Sequence, residues 1–286
     1  MIIIFIKLNG DNENVYRFKI NTNRFRIHYK ISDIKKFNCP ILGSSAKEGI
    51  LVLYKHPVKD VWTNIKTFNK SGNANINLSQ SVDNHVFYEV MIYSPLLADM
   101  HEVTVEFGDR YEVIQSDNPK ESLLVMGGQK TFGIGCTTTG TMFSNIIGRK
   151  FNCNIVNVSS VDNDYLERLN NYLDNQSNEK QYKIGIIELD YLNDNDNIAL
   201  NSIIDSMNLC CENVIGWYAF NDSNSKKDLI NQILNDKIKN GLVAIEDMSM
   251  IFNEDKDMCS YDDEHINDAG NVLIYKKLSS LIKGVL

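Results

Sequence analysis

An Asp-x-x-His motif near the C-terminus is the segment best suited to chemistry. It reads Asp262-Asp-Glu-His265 and continues as Ile-Asn267-Asp268-Ala-Gly. A carboxylate beside an imidazole can orient the ring and stabilise its protonated form, which supports a histidine base. Asn267 or Asp268 can cap a following helix by accepting hydrogen bonds from its first N–H groups. By itself the motif leaves both a catalytic and a purely structural histidine open.

A glycine-rich turn is the second candidate. It reads Gly127-Gly128-Gln129-Lys130-Thr-Phe-Gly-Ile-Gly135 and follows the apolar run Leu123–Met126. A buried strand that enters such a turn and then a helix is where many hydrolases display a nucleophile. Here the displayed residue is Gln129, whose carboxamide has no usable proton and is a poor nucleophile. The turn therefore predicts either an altered active site or the remains of one.

Other nucleophiles near these motifs stay open. Cys136 follows the glycine turn, and a thiol at a helix start could have a lowered pKa, although a small packed thiol is the alternative. Ser159 and Ser160 follow the next apolar run and can equally belong to a turn. A water activated by His265 and held by the Gln129 amide is a third route.

Charge and hydropathy limit the partners and the compartment. The chain has 286 residues and a formal net charge of −8. Residues 1–118 carry 14 Lys/Arg and 13 Asp/Glu, whereas the remainder carries 15 and 24. This acidity predicts that nucleic acid is not a partner. The apolar start is too short for a signal peptide and no run could span a bilayer, so we expect a cytoplasmic protein without a membrane partner.

Neither a metal nor a cofactor is expected. The cysteines show no C-x-x-C spacing, which predicts buried free thiols: Cys39, Cys136, Cys153, Cys210, Cys211 and Cys259. Cys210 and Cys211 are expected in one helix, where neighbouring side chains point apart. Asp190, Asp194 and Asp196 do not complete a calcium-loop pattern, which favours a solvated acidic loop.

In the first part of the chain, apolar and polar residues alternate with the two-residue period of antiparallel strands. In Phe25-Arg-Ile-His-Tyr-Lys-Ile31, apolar and polar residues alternate strictly, which is typical of a strand with one wet face. Further strands are predicted at residues 2–8, 16–20, 50–55, 86–93 and 103–107. Asn/Gly/Ser turns separate them and no helix is convincing, so residues 1–118 are expected to form a β-sandwich or jelly roll.

Residues 119–286 follow a different pattern. Apolar runs without alternation predict strands buried on both faces, at residues 123–126, 155–158, 184–189, 214–218 and 242–245. Helices are predicted between them, at residues 139–150, 195–211, 224–239 and 269–284. Such alternation predicts an α/β domain with a parallel sheet and helices on both sides. Ligands of these sheets bind at the carboxyl ends of the strands, where both motifs fall.

The second part of the chain, about residues 120–286, resembles the SGNH/GDSL hydrolases, a family of esterases and acyl hydrolases. The block Asp262-Asp-Glu-His265-Ile-Asn-Asp-Ala-Gly270 matches the family's last motif closely. The glycine turn matches Gly-Asp-Ser-x-Thr-x-Gly-x-Gly in spacing. The resemblance implies a flavodoxin-like sheet and, for the first part, the jelly roll found in some carbohydrate esterases.

The resemblance also assigns expected site residues. It places the family's serine on Gln129, its oxyanion-hole glycine near Asp162, and its oxyanion-hole asparagine near Leu192 or Asn193. A carboxylate at Asp162 would repel a developing oxyanion. The expected catalytic group is His265, Asp262 and Gln129, with Gln129 not acting as nucleophile. The expected ligand-binding group is Gly128, Lys130, Asp162, Asp190 and Asn193.

These residues predict a degenerate acyl-ester hydrolase site. The protein would bind a small polar, carbohydrate-like or acylated ligand, or use the same cleft for altered chemistry. The alternative is a working acyl or acetyl esterase in which a displaced nucleophile acts with Asp262 and His265. A third class, an interaction scaffold, would bind no small molecule.

Overall fold

The computed structural model describes most of the chain and divides it into two units. The described residues are 2–10, 15–37, 39–69, 72–78, 86–161, 165–176, 181–190, 197–219, 228, 242–253, 256–262 and 264–286. The first unit is Met1–Asn118 with Thr137–Gly140, and the second is Pro119–Cys136 with Thr141–Leu286. That residue 118 separates two independent domains stays a prediction.

Two antiparallel sheets form the first unit. Its strands are β1 Ile3–Lys7, β2 Val15–Ile20, β3 Arg24–Ile31, β4 Gly49–Lys55, β5 Trp62–Asn69, β6 Gly72–Asn77, β7 Tyr88–Tyr93, β8 Met100–Gly108 and β9 Val113–Gln115. The sheet orders are β1-β8-β3-β6 and β5-β4-β7-β2-β9. Pairing β1 with β8 and β2 with β7 produces a jelly roll with an added ninth strand. The predicted sandwich is therefore confirmed.

Alternation places one face of each strand in the core of this unit. Phe25, Ile27 and Tyr29 of β3 are buried, whereas Arg24 on the same strand is exposed. The expectation of no helix was wrong, because α1, a single turn at Ser44–Glu48, buries Ala46. One turn is too short to produce a visible 3.6-residue period.

The second unit contains one parallel sheet. Its strands are β10 Ser122–Met126, β11 Asn154–Asn157, β12 Tyr182–Glu188, β13 Cys211–Tyr218 and β14 Leu242–Asp247. Their order is β11-β10-β12-β13-β14, and every adjacent pair is parallel. The predicted α/β class is confirmed, with all five predicted strands present.

Helices cover both faces of this sheet. They are α2 Gln129–Phe132, α3 Phe143–Phe151, α4 Tyr165–Asp174, α5 Asn197–Cys210, α6 Met250–Asn253, α7 Lys256–Cys259 and α8 Asp268–Val285. Residues of α4 and α5 pack with Leu124 and Met126, whereas residues of α3 and α8 pack with Leu123 and Val125. Burial on both sides explains why β10 has no polar alternation. The helix predicted at 224–239 lies outside the described residues except for position 228.

The cysteine expectations were right in part. All six cysteines are buried and free. Cys210 and Cys211 do not share a helix, however, because α5 ends at Cys210 and β13 begins at Cys211. Their sulfur atoms are 3.7 Å apart. Within the described part of the chain, no helix is both long and apolar enough to cross a membrane.

Candidate active site

The Gly127–Gly135 turn lies at the carboxyl end of β10 and depends on its glycines. A Cβ on Gly127 would lie 2.5 Å from Thr131 Oγ1 and 2.6 Å from Glu188 Cβ. Gly135 has φ +96°, and a Cβ there would lie 2.5 Å from the carbonyl oxygen of Ile266. Glycine is required at both positions because a side chain would collide with β12 or with the loop before α8.

The loop before α8 is held by Asp262 itself. Asp262 Oδ1 accepts hydrogen bonds from the backbone N–H groups of Glu264 at 2.8 Å and of His265 at 2.7 Å. Asp262 Oδ2 lies 2.8 Å from His265 Nδ1. Asn267 provides the predicted helix cap, accepting from Ala269 N at 2.9 Å and from the next backbone N–H. One carboxylate therefore fixes both the loop and the imidazole.

His265 connects this loop to the glycine turn. Its Nε2 atom lies 3.2 Å from Gln129 Oε1, on the side of the ring opposite Asp262. The His265 side chain is only 14% exposed. When Nδ1–H donates to Asp262, a neutral ring accepts a hydrogen bond at Nε2, and a protonated ring donates one there. The Gln129 amide can satisfy either state, because it presents an acceptor on one end and donors on the other.

Asp262 remains ionised in this arrangement. Partial burial opposes the charged form, but hydrogen bonds from the backbone N–H of Glu264 and from the ring and backbone N–H of His265 outweigh it. The pKa of Asp262 is therefore below its ordinary value. A carboxylate that keeps its charge can balance a positive charge on His265.

Lys130 and Asp190 form an ion pair beneath the turn. Their side chains are 10% and 3% exposed, respectively. Asp190 Oδ1 also accepts from Ala219 N at 2.6 Å, and the Lys130 ammonium lies 5.1 Å from the centroid of the Phe252 ring. Burial lowers the pKa of Lys130, but Asp190 and Glu188 outweigh it, and the pKa is raised. Their predicted contact with a ligand stays a prediction.

Glu188 is a residue that the sequence interpretation missed. It ends β12, is 2% exposed, and its Oε2 accepts from Gly128 N at 3.1 Å, Thr131 N at 2.9 Å and Thr131 Oγ1 at 2.5 Å. Its Oε1 has no hydrogen-bond partner within the described residues. Burial, with repulsion from Asp190, raises the pKa of Glu188 to about 7 despite Lys130 and Thr131. Glu188 thus anchors the turn that carries Gln129.

The alternative nucleophiles lie in unsuitable environments. Cys136 is 3% exposed, and burial followed by the negative charge of Asp268 raises its pKa, so the expectation of a lowered pKa was wrong. Ser159 belongs to a turn, as its hydroxyl donates to Asn157 Oδ1 at 2.5 Å and its backbone N–H donates to the same atom. Ser160 is buried, and its backbone N–H donates to Gly127 O.

The remaining predicted residues cannot be placed. Asp162 and Asn193 lie outside the described residues, as do Leu192, Asp194 and Asp196. Gly128, by contrast, is the residue just before α2, and its N–H points to Glu188. Among the residues that the structure does describe, no three His, Cys, Asp or Glu side chains are grouped to hold a metal ion.

Solved structures share this architecture. A GDSL-like lipase from Bacteroides ovatus superposes with a TM-score of 0.74 over 95% of this chain and 84% of the lipase, at 14% sequence identity. A family two carbohydrate esterase from Clostridium thermocellum, in complex with cellohexaose, gives 0.63 over 99% and 98% of the two chains, at 10% identity. The chain has the SGNH fold. The likeness extends over the sandwich as well.

A third similar structure is that of an acyltransferase. The salicylyl-acyltransferase SsfX3 of a tetracycline biosynthetic pathway has a TM-score of 0.67, covers 95% of this chain and 83% of its own, and is 10% identical. No protein-family profile and no curated protein matches the sequence. At these identities the comparisons establish the SGNH fold and do not assign an activity.

Proposed function

We propose that this protein carries a degenerate acyl-ester hydrolase site and binds a small polar, carbohydrate-like or acylated ligand in that cleft. The observation that carries the proposal is the continuous contact from Asp262 through His265 to Gln129, at 2.8 and 3.2 Å. The expected base and its carboxylate partner are in hydrogen-bonding geometry. The group that faces the base is a carboxamide.

A carboxamide in that position prevents the usual acyl-transfer route. A histidine base works by removing a proton from a hydroxyl or thiol that then attacks the carbonyl carbon. Gln129 Oε1 carries no proton, and its amide nitrogen is a poor nucleophile. Loss of a nucleophile leaves roughly a 10³- to 10⁴-fold residual over water, from binding and polar contacts alone. Binding is therefore the function that the retained groups serve best.

The retained groups favour a hydroxyl- or amide-bearing ligand. Gln129 places a carboxamide, a group that can both donate and accept hydrogen bonds, beside the partly exposed His265. The neighbours with the SGNH fold include a lipase, an acyltransferase and a carbohydrate esterase with bound cellohexaose. Their common chemistry supports an acylated or saccharide-like ligand for this chain.

The second candidate is a working esterase. It would use a displaced nucleophile with Asp262 and His265, and the intact pair favours it, because a positioned base can activate such a nucleophile or, without one, a water. In that case the Gln129 amide would hold the attacking water.

Two assays separate the candidates. Hydrolysis of short-chain aryl esters is measured for wild type, His265→Ala and the control His101→Ala, which removes an exposed histidine from β8. We expect wild type to show at most a weak residual rate, which His265→Ala leaves unchanged. Turnover that is lost in His265→Ala and kept in His101→Ala would instead establish the esterase.

Binding is measured by thermal shift with acetylated and unacetylated cello-oligosaccharides. A ligand at about 100 times its Kd stabilises the folded state by about 2.7 kcal/mol. We expect a shift for wild type that decreases in Gln129→Ala and in His265→Ala. An unshifted melting temperature with every ligand would favour an interaction scaffold.

A further inference from the structure

The outward face of the β1-β8-β3-β6 sheet carries two rows of side chains in register across all four strands. Strand pairing places the members of each row directly opposite one another. The first row is Phe5, Glu106, Arg26 and Asn75. The second row is Lys7, Thr104, His28 and Asn73. We call these two rows, with Arg24, Lys30 and Glu102 on the same face, the outer face.

Hydrogen bonds fix the centre of the outer face. Arg26 Nε donates to Asn75 Oδ1 at 2.7 Å, and Arg26 Nη1 donates to Glu106 Oε2 at 3.3 Å. His28 Nε2 lies 2.5 Å from the same Glu106 oxygen. Donors and acceptors therefore alternate across a preorganised surface. The Arg26, His28 and Asn75 side chains therefore need little further ordering when a ligand binds.

The outer face is concave in two places. One depression of about 620 Å³ is lined by residues that include Lys7, His28 and Glu102. A second of about 360 Å³ is lined by residues that include Arg24 and Glu106. The Phe5 ring is 59% exposed, and its centroid lies 5.7 Å from that of the His28 ring. An exposed aromatic ring beside polar groups can stack on the apolar face of a sugar.

A β-bulge between β3 and β8 places the Glu102 carboxylate on this face. The register of β3 and β8 shifts between His28 and Lys30. Glu102 at the bulge has φ +51°, a left-handed conformation that is strained for a residue with a side chain. Its carboxylate lies 2.6 Å from Lys30 Nζ. The bulge therefore adds the Glu102 carboxylate and its partner Lys30 to the outer face.

The charge of the outer face is opposite to that of the chain. Four cationic residues, Lys7, Arg24, Arg26 and Lys30, accompany only Glu102 and Glu106, whereas the chain has a net charge of −8. Glu102 pairs with Lys30, and Glu106 pairs with Arg26. Lys7 and Arg24 make no ion pair within 4 Å among the described residues, although, after the Lys30 hydrogen bond and charge, the Lys7 charge also contributes to lowering the pKa of Glu102. Each depression therefore contains a cation available to an anionic ligand.

We propose that the outer face binds an acidic oligosaccharide, a chain of sugar rings bearing carboxylates. Lys7 and Arg24 would bind the carboxylates, and Arg26, His28 and the asparagine amides would bind hydroxyl groups. Arg24 and Lys30 are six positions apart, about 20 Å of strand, which suits several sugar rings and exceeds a single small anion. A nucleic acid is the competing polyanion, and the test below distinguishes it from a saccharide.

The test is affinity electrophoresis of the full chain through gels containing polygalacturonate, neutral hydroxyethyl cellulose or no polymer. The variant is Lys7→Gln/Arg24→Gln. The matched control is Lys276→Gln/Lys277→Gln, which removes the same charge from exposed positions on α8. Phe5→Ser tests stacking separately. Circular dichroism of each variant establishes that it is folded, and single-stranded DNA serves as a polyanion without sugar carboxylates.

We expect polygalacturonate, and not the neutral polymer, to retard wild type and the control. The Lys7→Gln/Arg24→Gln variant should bind about tenfold or more weakly, since two charge-assisted hydrogen bonds are removed. Absence of retardation in wild type would overturn the proposal. So would retardation that the double variant leaves unchanged, or equal binding of DNA through the same residues. None of these results depends on the site at Gln129.

Discussion

Removing the Glu188 carboxylate tests what holds the Gln129 turn. Glu188→Ala leaves three donors, Gly128 N, Thr131 N and Thr131 Oγ1, without their acceptor in a buried site. Each unsatisfied buried donor costs about 1–3 kcal/mol, and the new cavity adds to this. Relief of a desolvated charge offsets part of the loss. We expect the free energy of unfolding to fall by about 3–5 kcal/mol.

Glu188→Gln is the matched variant, because it keeps the shape and one acceptor oxygen. Glu188→Gln also removes the carboxyl group that gains or loses a proton. The raised pKa of Glu188, about 7 against an ordinary 4.5, means that the folded protein holds a proton that the unfolded chain has released. The wild-type contribution is therefore fully present below pH 4.5 and is lost as the pH rises through 7. Relative to wild type, Glu188→Gln should gain about 3 kcal/mol between pH 4.5 and pH 8.

Urea unfolding followed by tryptophan fluorescence measures both effects. Trp217 is fully buried in the second unit, against Phe143 at 5.4 Å between ring centroids, and reports its unfolding. Measurements at pH 5 and pH 8 on wild type and both variants are sufficient. If wild type and Glu188→Gln kept a constant difference in stability across that range, Glu188 would not be the titrating group. If Glu188→Ala were as stable as wild type, the turn would not depend on it.

Two further changes probe the same site. Gly135→Ala should lower stability by about 2 kcal/mol or more, because φ is +96° and the new Cβ would meet Ile266 O. Gly284→Ala is the control, because Gly284 is helical and a Cβ there would meet open space. It should raise the free energy of unfolding by up to about 1 kcal/mol. Thermal melts of the two variants measure this difference. Asp262→Asn should remove stabilisation that wild type has above pH 3.8 and loses as the pH falls through the lowered pKa of Asp262. Acid titration of the two proteins would contradict this if their curves coincided.

Alternation and uninterrupted apolar runs were enough to predict both fold classes. Strand β3 and the five parallel strands were visible because burial on one or both faces imposes a pattern on neighbouring residues. Strand β6, Gly-Asn-Ala-Asn-Ile-Asn, was missed because small residues and asparagine hardly favour strands. Cys210 and Cys211 were misassigned because no turn residue separates α5 from β13.

The candidate site was only half visible in the sequence. Asp262 and His265 are three residues apart, so their hydrogen bond follows from local geometry. The contact between His265 and Gln129 spans 136 residues and could be expected only from the family resemblance. Glu188 gave no signal beyond a charged residue ending an apolar run, since its partners in the turn lie 57–60 residues away. Likewise, the burial of Cys136 depends on tertiary packing.

A serine side chain at position 129 would be too short to reach His265, which limits the hydrolytic activity that Gln129→Ser could restore. Serine Oγ lies two bonds nearer the backbone than glutamine Oε1, so it would fall about 2 Å short of the present 3.2 Å contact with His265 Nε2. General-base catalysis contributes about 10²- to 10⁴-fold, and misplacement by 1 Å can remove 10²-fold. We therefore expect Gln129→Ser to hydrolyse aryl acetates at most about 100-fold faster than wild type.

Covalent labelling at position 129 measures the identity of the nucleophile most directly. Wild type, His265→Ala, Gln129→Ser and Gln129→Ser/His265→Ala are incubated with a serine-reactive fluorophosphonate and analysed by intact and peptide mass spectrometry. The predicted result is a single adduct on the introduced serine in Gln129→Ser, a much slower reaction without His265, and no adduct in wild type. An adduct on another wild-type residue, formed only when His265 is present, would contradict the degenerate site and identify a displaced nucleophile.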